Sequence, residues 1–85
     1  MKINWLLAEE KFMIWCDANC IGNVGDRIIV LNSRSIGWCC EFVGCNARQL
    51  RRIIGSFCNK NTLVYVGSNT YKIYFMPFFV NAEYY

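Results

Sequence analysis

The residues in this sequence best equipped for chemistry are its six cysteines and its arginines; histidine is absent. Cys16 and Cys20 are spaced C-x3-C, and Cys39, Cys40 and Cys45 follow downstream. Thiolates from Cys16, Cys20, Cys40 and Cys45 would suit a tetrahedral zinc ion, a useful staple for a short chain. The spacing is against it, because zinc knuckles are usually built on C-x2-C pairs and no histidine can substitute. Cysteine also ranks among the most buried residue types and packs as a small hydrophobe. Buried thiols, with no metal and no other cofactor, are the expectation; a zinc-stapled cysteine domain is an alternative.

Catalysis finds little to work with. Without histidine no side chain titrates near neutral pH unperturbed, and neither a Cys–His nor a Ser–His pair can form. Asp17, Asp26, Glu41 and Glu83 are scattered, with no spacing that sets two carboxylates around one bond. The stretch GNVGD, residues 22–26, lacks the Lys and Ser/Thr of a phosphate-binding P-loop. An enzyme is not expected.

Binding chemistry is better supplied. Arg48, Arg51 and Arg52 fall within CNARQLRRIIGSFC, residues 45–58, with Lys60 just beyond, and Arg27 and Arg34 lie upstream. Guanidinium groups hold phosphates, and Tyr65, Tyr71 or Tyr74 on a sheet could stack on bases. Against this, no RNP-type aromatic run, GXXG clamp or dense Lys/Arg cluster is present, and a net charge of +3 is modest for a binder that must survive salt. The same arginines would equally anchor a protein partner, or simply form the wet side of a packed helix. Trp5, Trp15, Trp38 and the terminal Phe78, Phe79, Tyr84 and Tyr85 exceed what a small core needs. Trp, Tyr and Arg are the types enriched at interface hot spots.

Local structure has to carry these side chains. Behind a capping Asn4, residues 4–16 repeat Trp5, Ala8, Phe12, Trp15 and Cys16 at steps of three and four, which predicts an N-terminal helix. A short strand over KFMIWC is the rival reading. DANCIGNVGD (17–26) reads as loop. RIIVLN (27–32) predicts a strand, NSRS (32–35) a turn, and IGWCCEFVG (36–44) the returning strand with Trp38, Cys40 and Phe42 on one face. From Asn46 onward, Ala47, Leu50, Ile53, Ile54 and Phe57 make an apolar stripe that predicts a central amphipathic helix. Arg48 and Arg52 point away from that stripe, and Arg51 borders it. Gly55 weakens such a helix by about 1 kcal/mol relative to Ala, so a close approach is expected there. TLVYV (62–66) and TYKIYFM (70–76) predict a second hairpin, with Pro77 stopping the last strand or confining it to an edge. The expected fold is α+β: one domain over residues 1–85, an antiparallel sheet of four to five strands in two hairpins, and both helices packed on one face. The bare face, and a last strand lying at the edge, would be the binding surface.

Composition agrees with a binding role. Hydrophobic residues make up 55% and charged residues 18%, against about 25% charged in a typical soluble domain. A chain this short buries only about 60–65% of its unfolded surface, so an exposed apolar patch is expected. Glu9, Glu10 and Lys11 interrupt the apolar start that a signal peptide needs. No apolar run approaches the roughly 18–20 residues of a membrane span. The expected setting is therefore the cytoplasm, of a cell or of an infected host, with no membrane contact. A compact chain without motifs is the usual look of small phage or mobile-element proteins that block a host machine, an analogy of type only. The leading expectation is a small non-enzymatic protein-binding module, acting as an inhibitor of a host defence or nucleic-acid machine. Arg48, Arg51, Arg52, Lys60, Tyr71 and Tyr74 are its partner- or phosphate-binding residues. A homodimer would satisfy the aromatic surface as well, and a small nucleic-acid-binding protein is the second reading.

Overall fold

A computed structural model describes residues 3–23 and 25–75. Asn4 caps the first helix, α1 (Trp5–Asn19), its side chain accepting from the Leu7 N–H at 3.1 Å. Ala8, Phe12, Trp15 and Cys16 form the buried face. The helix runs past this stripe to Asn19, whose side-chain amide donates to the Trp15 carbonyl at 2.8 Å, so Asp17 sits on the last turn rather than in a loop. Arg27–Val30 then forms strand β1.

The segment expected to return as a strand is a helix, α2 (Ser33–Val43). The polar NSRS residues are its cap. Asn32 accepts from the Ser35 N–H at 2.9 Å, and the Ser35 hydroxyl accepts from the Asn32 N–H at 2.9 Å. This reciprocal box satisfies two N–H groups that a helix start otherwise leaves unpaired. The Ser35 hydroxyl also donates to the Val30 carbonyl at 2.8 Å, pinning the helix to the end of β1. Cys39 and Val43 are buried with Ile36 and Cys40 packed beside them, a helical period. Gly44 ends the helix in the left-handed region (φ 81°), and its N–H reaches the Cys40 carbonyl at 2.8 Å.

With residues 36–43 in a helix, β1 has no hairpin partner. After α3 (Ala47–Asn59), the chain forms one hairpin of β2 (Leu63–Gly67) and β3 (Thr70–Ile73). β1 pairs antiparallel with β3, so the sheet has three strands in the order β1-β3-β2. The last described strand is therefore the centre of the sheet, not an edge. An isolated bridge between Ile21 and Ile28, with both hydrogen bonds at 2.9 Å, lines the outer side of β1. Met76, Pro77 and the terminal aromatics Phe78, Phe79, Tyr84 and Tyr85 lie outside the described residues.

The architecture is a small compact α+β domain. Register sets the two sheet faces: Arg27, Ile73 and Leu63 form one row, Ile29, Tyr71 and Tyr65 another, and both face the helices. Ile28, Lys72 and Val64 form a row on the opposite face, which no helix covers among the described residues. Between sheet and helices, the rings of Phe12, Phe57 and Phe75 pack in series in tilted contacts, with centroids 5.3 and 5.5 Å apart. Leu50 and Ile53 of α3 fill the layer beside them. Among the described residues no helix is long and apolar enough to cross a membrane.

Candidate functional site

The arginine helix is built as its sequence suggests. Asn46 accepts from the Gln49 N–H at 2.8 Å, and the Gln49 side chain accepts from the Asn46 N–H at 3.0 Å. Leu50, Ile53, Ile54 and Phe57 are buried, whereas Ala47, expected in the stripe, is exposed on the first turn. Arg48, Arg51 and Arg52 are all exposed, and α3 carries no acidic residue. Among the described residues none of the three makes an ion pair. Arg52 lies over the half-buried Trp5 ring at 4.6 Å, and Lys60 lies 5.9 Å from the Phe57 ring.

The two site tyrosines part company. Tyr71 lies in an inner row, 5.2 Å from the Tyr65 ring, and burial raises its phenol above the ordinary value, with Cys58 and Tyr65 adding to the effect. Tyr74 belongs with Lys72 on the other face, 5.6 Å from its ammonium group. They do not make one stacking platform.

Arg27 leaves the basic surface altogether. It is 5% exposed, ion-paired to Asp17 of α1 at 2.6 Å, hydrogen-bonded to the Phe75 carbonyl, and set over the Phe75 ring at 5.5 Å. It ties β1 to α1 and to the segment after β3. Nothing in RIIV distinguishes an inward from an outward arginine; the register across β3 does.

Arg51 and Tyr71 do come together. With Gly55 and Cys58, Arg51 lines one wall of a cleft of about 420 Å³; Tyr71 and Asn69 of the hairpin, and Leu31 and Ile36, make the other. A Cβ built on Gly55 meets nothing within 4 Å, so the expected close approach does not occur and the glycine opens onto the cleft. A larger groove of about 730 Å³ runs between the start of α1 and the α2–α3 turn, past Leu7, Lys11, Cys40 and Cys45. Its Asn4, Asn46 and Gln49 side chains are already engaged in helix caps, and its two charged residues, Lys11 and Glu41, are of opposite sign.

The cysteines are free thiols. Cys16 and Cys39 are buried, Cys20 donates to the Asp17 carbonyl at 3.5 Å, and the Cys45 backbone N–H donates to the Cys40 carbonyl at 3.1 Å beside the larger groove. Burial pushes the Cys39 thiol up to about 12 and, with Cys40 adjacent, the Cys45 thiol up to about 11. Cys16 is raised as well, first by burial and then by neighbouring Cys39. Thiols held protonated are poor nucleophiles and poor metal ligands. Among the described residues no three Cys, Asp or Glu side chains converge as a metal-ligand group, so Cys16, Cys20, Cys40 and Cys45 are not brought together.

Two exposed apolar features complete the surface. On α2, Trp38 (57% exposed) and Phe42 lie one turn apart, with exposed Arg34 one turn earlier; Trp15 is buried and Trp5 half-buried, so Trp38 is the tryptophan free for a partner. On the sheet, Val64, Tyr65 and Val66 of β2 are exposed in succession. Among the described residues no strand pairs with the outer side of β2, whereas β1 has its Ile21 bridge. Sequence reasoning missed this edge, the inward Arg27 and the cleft; Gly55, an unexplained helix glycine, was the one signal of the last. Compared with known proteins, the chain matches no family model, no curated protein sequence and no solved structure.

Proposed function

We propose that the protein is a non-enzymatic protein-binding module that takes an extended segment of a partner onto the free side of β2. The observation that carries this is the β2 edge, which no strand pairs among the described residues. Sheet proteins protect open edges with charge, proline or a covering element. From Asn61 to Tyr71 there is no charged residue and no proline. A bulge between Tyr65 and Gly67 twists only the far end of the strand. Every second residue of such an edge turns its N–H and C=O outward, so an added strand gains a ladder of backbone bonds, and the exposed Val64, Tyr65 and Val66 supply contact area. A module of this kind works by occupancy, as a small inhibitor of a host machine would, and its free thiols fit a reducing cytoplasm.

A photo-crosslinking amino acid at position 65, in cells that make the protein, tests this. One dominant adduct is expected, lost when Val64→Lys and Val66→Lys are added to an otherwise folded protein. An adduct of twice the monomer mass would make the partner a second copy. Adducts no stronger than from a control at Glu10, or unaffected by the lysines, would remove the reading.

The acid-free basic face of α3 favours a second reading, nucleic-acid binding through Arg48, Arg51 and Arg52. Three phosphate contacts imply a log–log salt slope of about −2 to −3. Fluorescence anisotropy with labelled DNA and RNA, repeated on the triple Arg→Glu variant, decides it; a flat salt response is the negative outcome.

A further inference from the structure

We infer that the cleft between α3 and the β2–β3 hairpin is a binding site for a small monocarboxylate with an apolar body. The starting point is Gly55. A glycine inside a helix costs about 1 kcal/mol relative to alanine. Such glycines usually stand where φ is positive or where another element presses close. Neither holds at Gly55: its backbone is helical, and an added Cβ would meet nothing within 4 Å. What the missing side chain does is keep one wall of the cleft open.

The lining then selects the occupant. Leu31, Ile36 and Ile54 make much of the lining apolar, and Cys58 adds a thiol that burial raises above its ordinary value. One full charge stands at the wall, the Arg51 guanidinium, which has no ion-pair partner among the described residues. Among the described residues the lining holds no carboxylate and no second cation. A single planar fork matches one carboxylate, held by two parallel N–H bonds. Tyr71 also lines the cleft and brings a hydroxyl, a donor type that suits the same head group. The volume of about 420 Å³ lies toward the small end of ligand sites. This site does not depend on the β2 edge, whose exposed backbone groups lie on the free side of β2.

The test is an amide chemical-shift titration of the full chain with octanoate and with indole-3-carboxylate, alongside octanamide as the uncharged match. Saturable shifts centred on Gly55, Cys58 and Tyr71 are expected for the acids. Gly55→Leu should fill the cleft and abolish them while the rest of the spectrum stays folded. Arg51→Gln, or the uncharged amide, should weaken binding by about tenfold to a hundredfold, the worth of a charge-assisted contact. The inference is overturned if neither acid gives saturable shifts at millimolar concentration. It is equally overturned if Gly55→Leu binds as before, if octanamide binds as well as octanoate, or if the shifts map to the outer sheet face.

Discussion

Asp17→Ala is expected to bring this protein close to unfolding, because it strands a buried charge. The Arg27 side chain is 6% exposed and so is that of Asp17, and their 2.6 Å contact is the ion pair that carries Arg27 into the core. Arg27 also donates to the Phe75 carbonyl, while its Nε finds no acceptor among the described residues. Removing one partner of a buried pair costs about 3–5 kcal/mol, since the remaining charge keeps its desolvation penalty and loses its compensation. At about 0.05–0.15 kcal/mol per residue, a chain of this length has a total stability of about 4–13 kcal/mol. The loss is thus a large share of the whole. With a urea m-value of about 1 kcal/mol/M, the midpoint should fall by about 3 M or more. Arg27→Met should do the same from the other side. The double variant removes both charges and should cost clearly less than the sum of the two singles. Arg27→Lys should fall between, because an ammonium is a compact point charge and cannot hold Asp17 and the Phe75 carbonyl with one planar fork. Urea titrations followed by far-UV circular dichroism and by fluorescence, with buried Trp15 as an internal reporter, measure all four. Single variants within about 1 M of the parent midpoint, or strict additivity in the double, would refute the reasoning.

Further outcomes are accessible with the same titrations. Gly55→Ala should stabilise by about 0.5–1 kcal/mol, having open space and helical backbone, whereas Gly22→Ala should destabilise by more than about 1 kcal/mol, because φ is +100° and the new Cβ would run into the Asp26 carbonyl oxygen; equal effects at the two positions would contradict the geometry. Asn32→Ala should cost about 1 kcal/mol by unmaking the α2 capping box, and an unchanged midpoint would count against residues 33–43 being helical. Burial lifts the Cys39 thiol from 9.0 to about 12 and Cys45 to about 11. The unfolded chain therefore ionises these groups first, so their contribution is complete below about pH 9 and is lost as pH rises toward the folded values. A urea midpoint that holds up to about pH 9 and declines from there toward about pH 11, and declines less steeply in Cys39→Ala, is the expected result; a pH-independent midpoint is the contrary one.

Much of the helical half was legible in sequence because helices are written locally. Asn4 and Asn46 cap where their residue type says they should, and the stripes through Phe12 and through Leu50 and Phe57 face the core. The failure at residues 36–44 is instructive. Over so short a run Trp38 and Phe42 share a face in either period, and Asn-Ser-Arg-Ser serves a turn or a capping box equally well. The outcome rests on Cys39 and Val43 finding buried places four residues apart, and on Ser35 reaching back to Val30. The site suffered the same limit. The exposure of Arg48, Arg51 and Arg52 followed from the stripe opposite them, but the meeting of Arg51 with Tyr71, and the separation of Tyr71 from Tyr74, needed the hairpin packed beside α3.

By itself the sequence determined the α+β class, two of the helices with their caps, the hairpin of the last two described strands, and the want of histidine for acid–base work. These are short-range properties, settled by hydrogen bonds and side-chain spacing within a few turns of chain. Only the tertiary structure decided that β3 is the central strand, that β2 is an edge among the described residues, that Arg27 turns inward to Asp17, and that Gly55 lines a cleft. Each of those depends on which distant segments share a wall, and the pairing of β1 with β3 joins residues separated by two helices, a contact that no local pattern encodes.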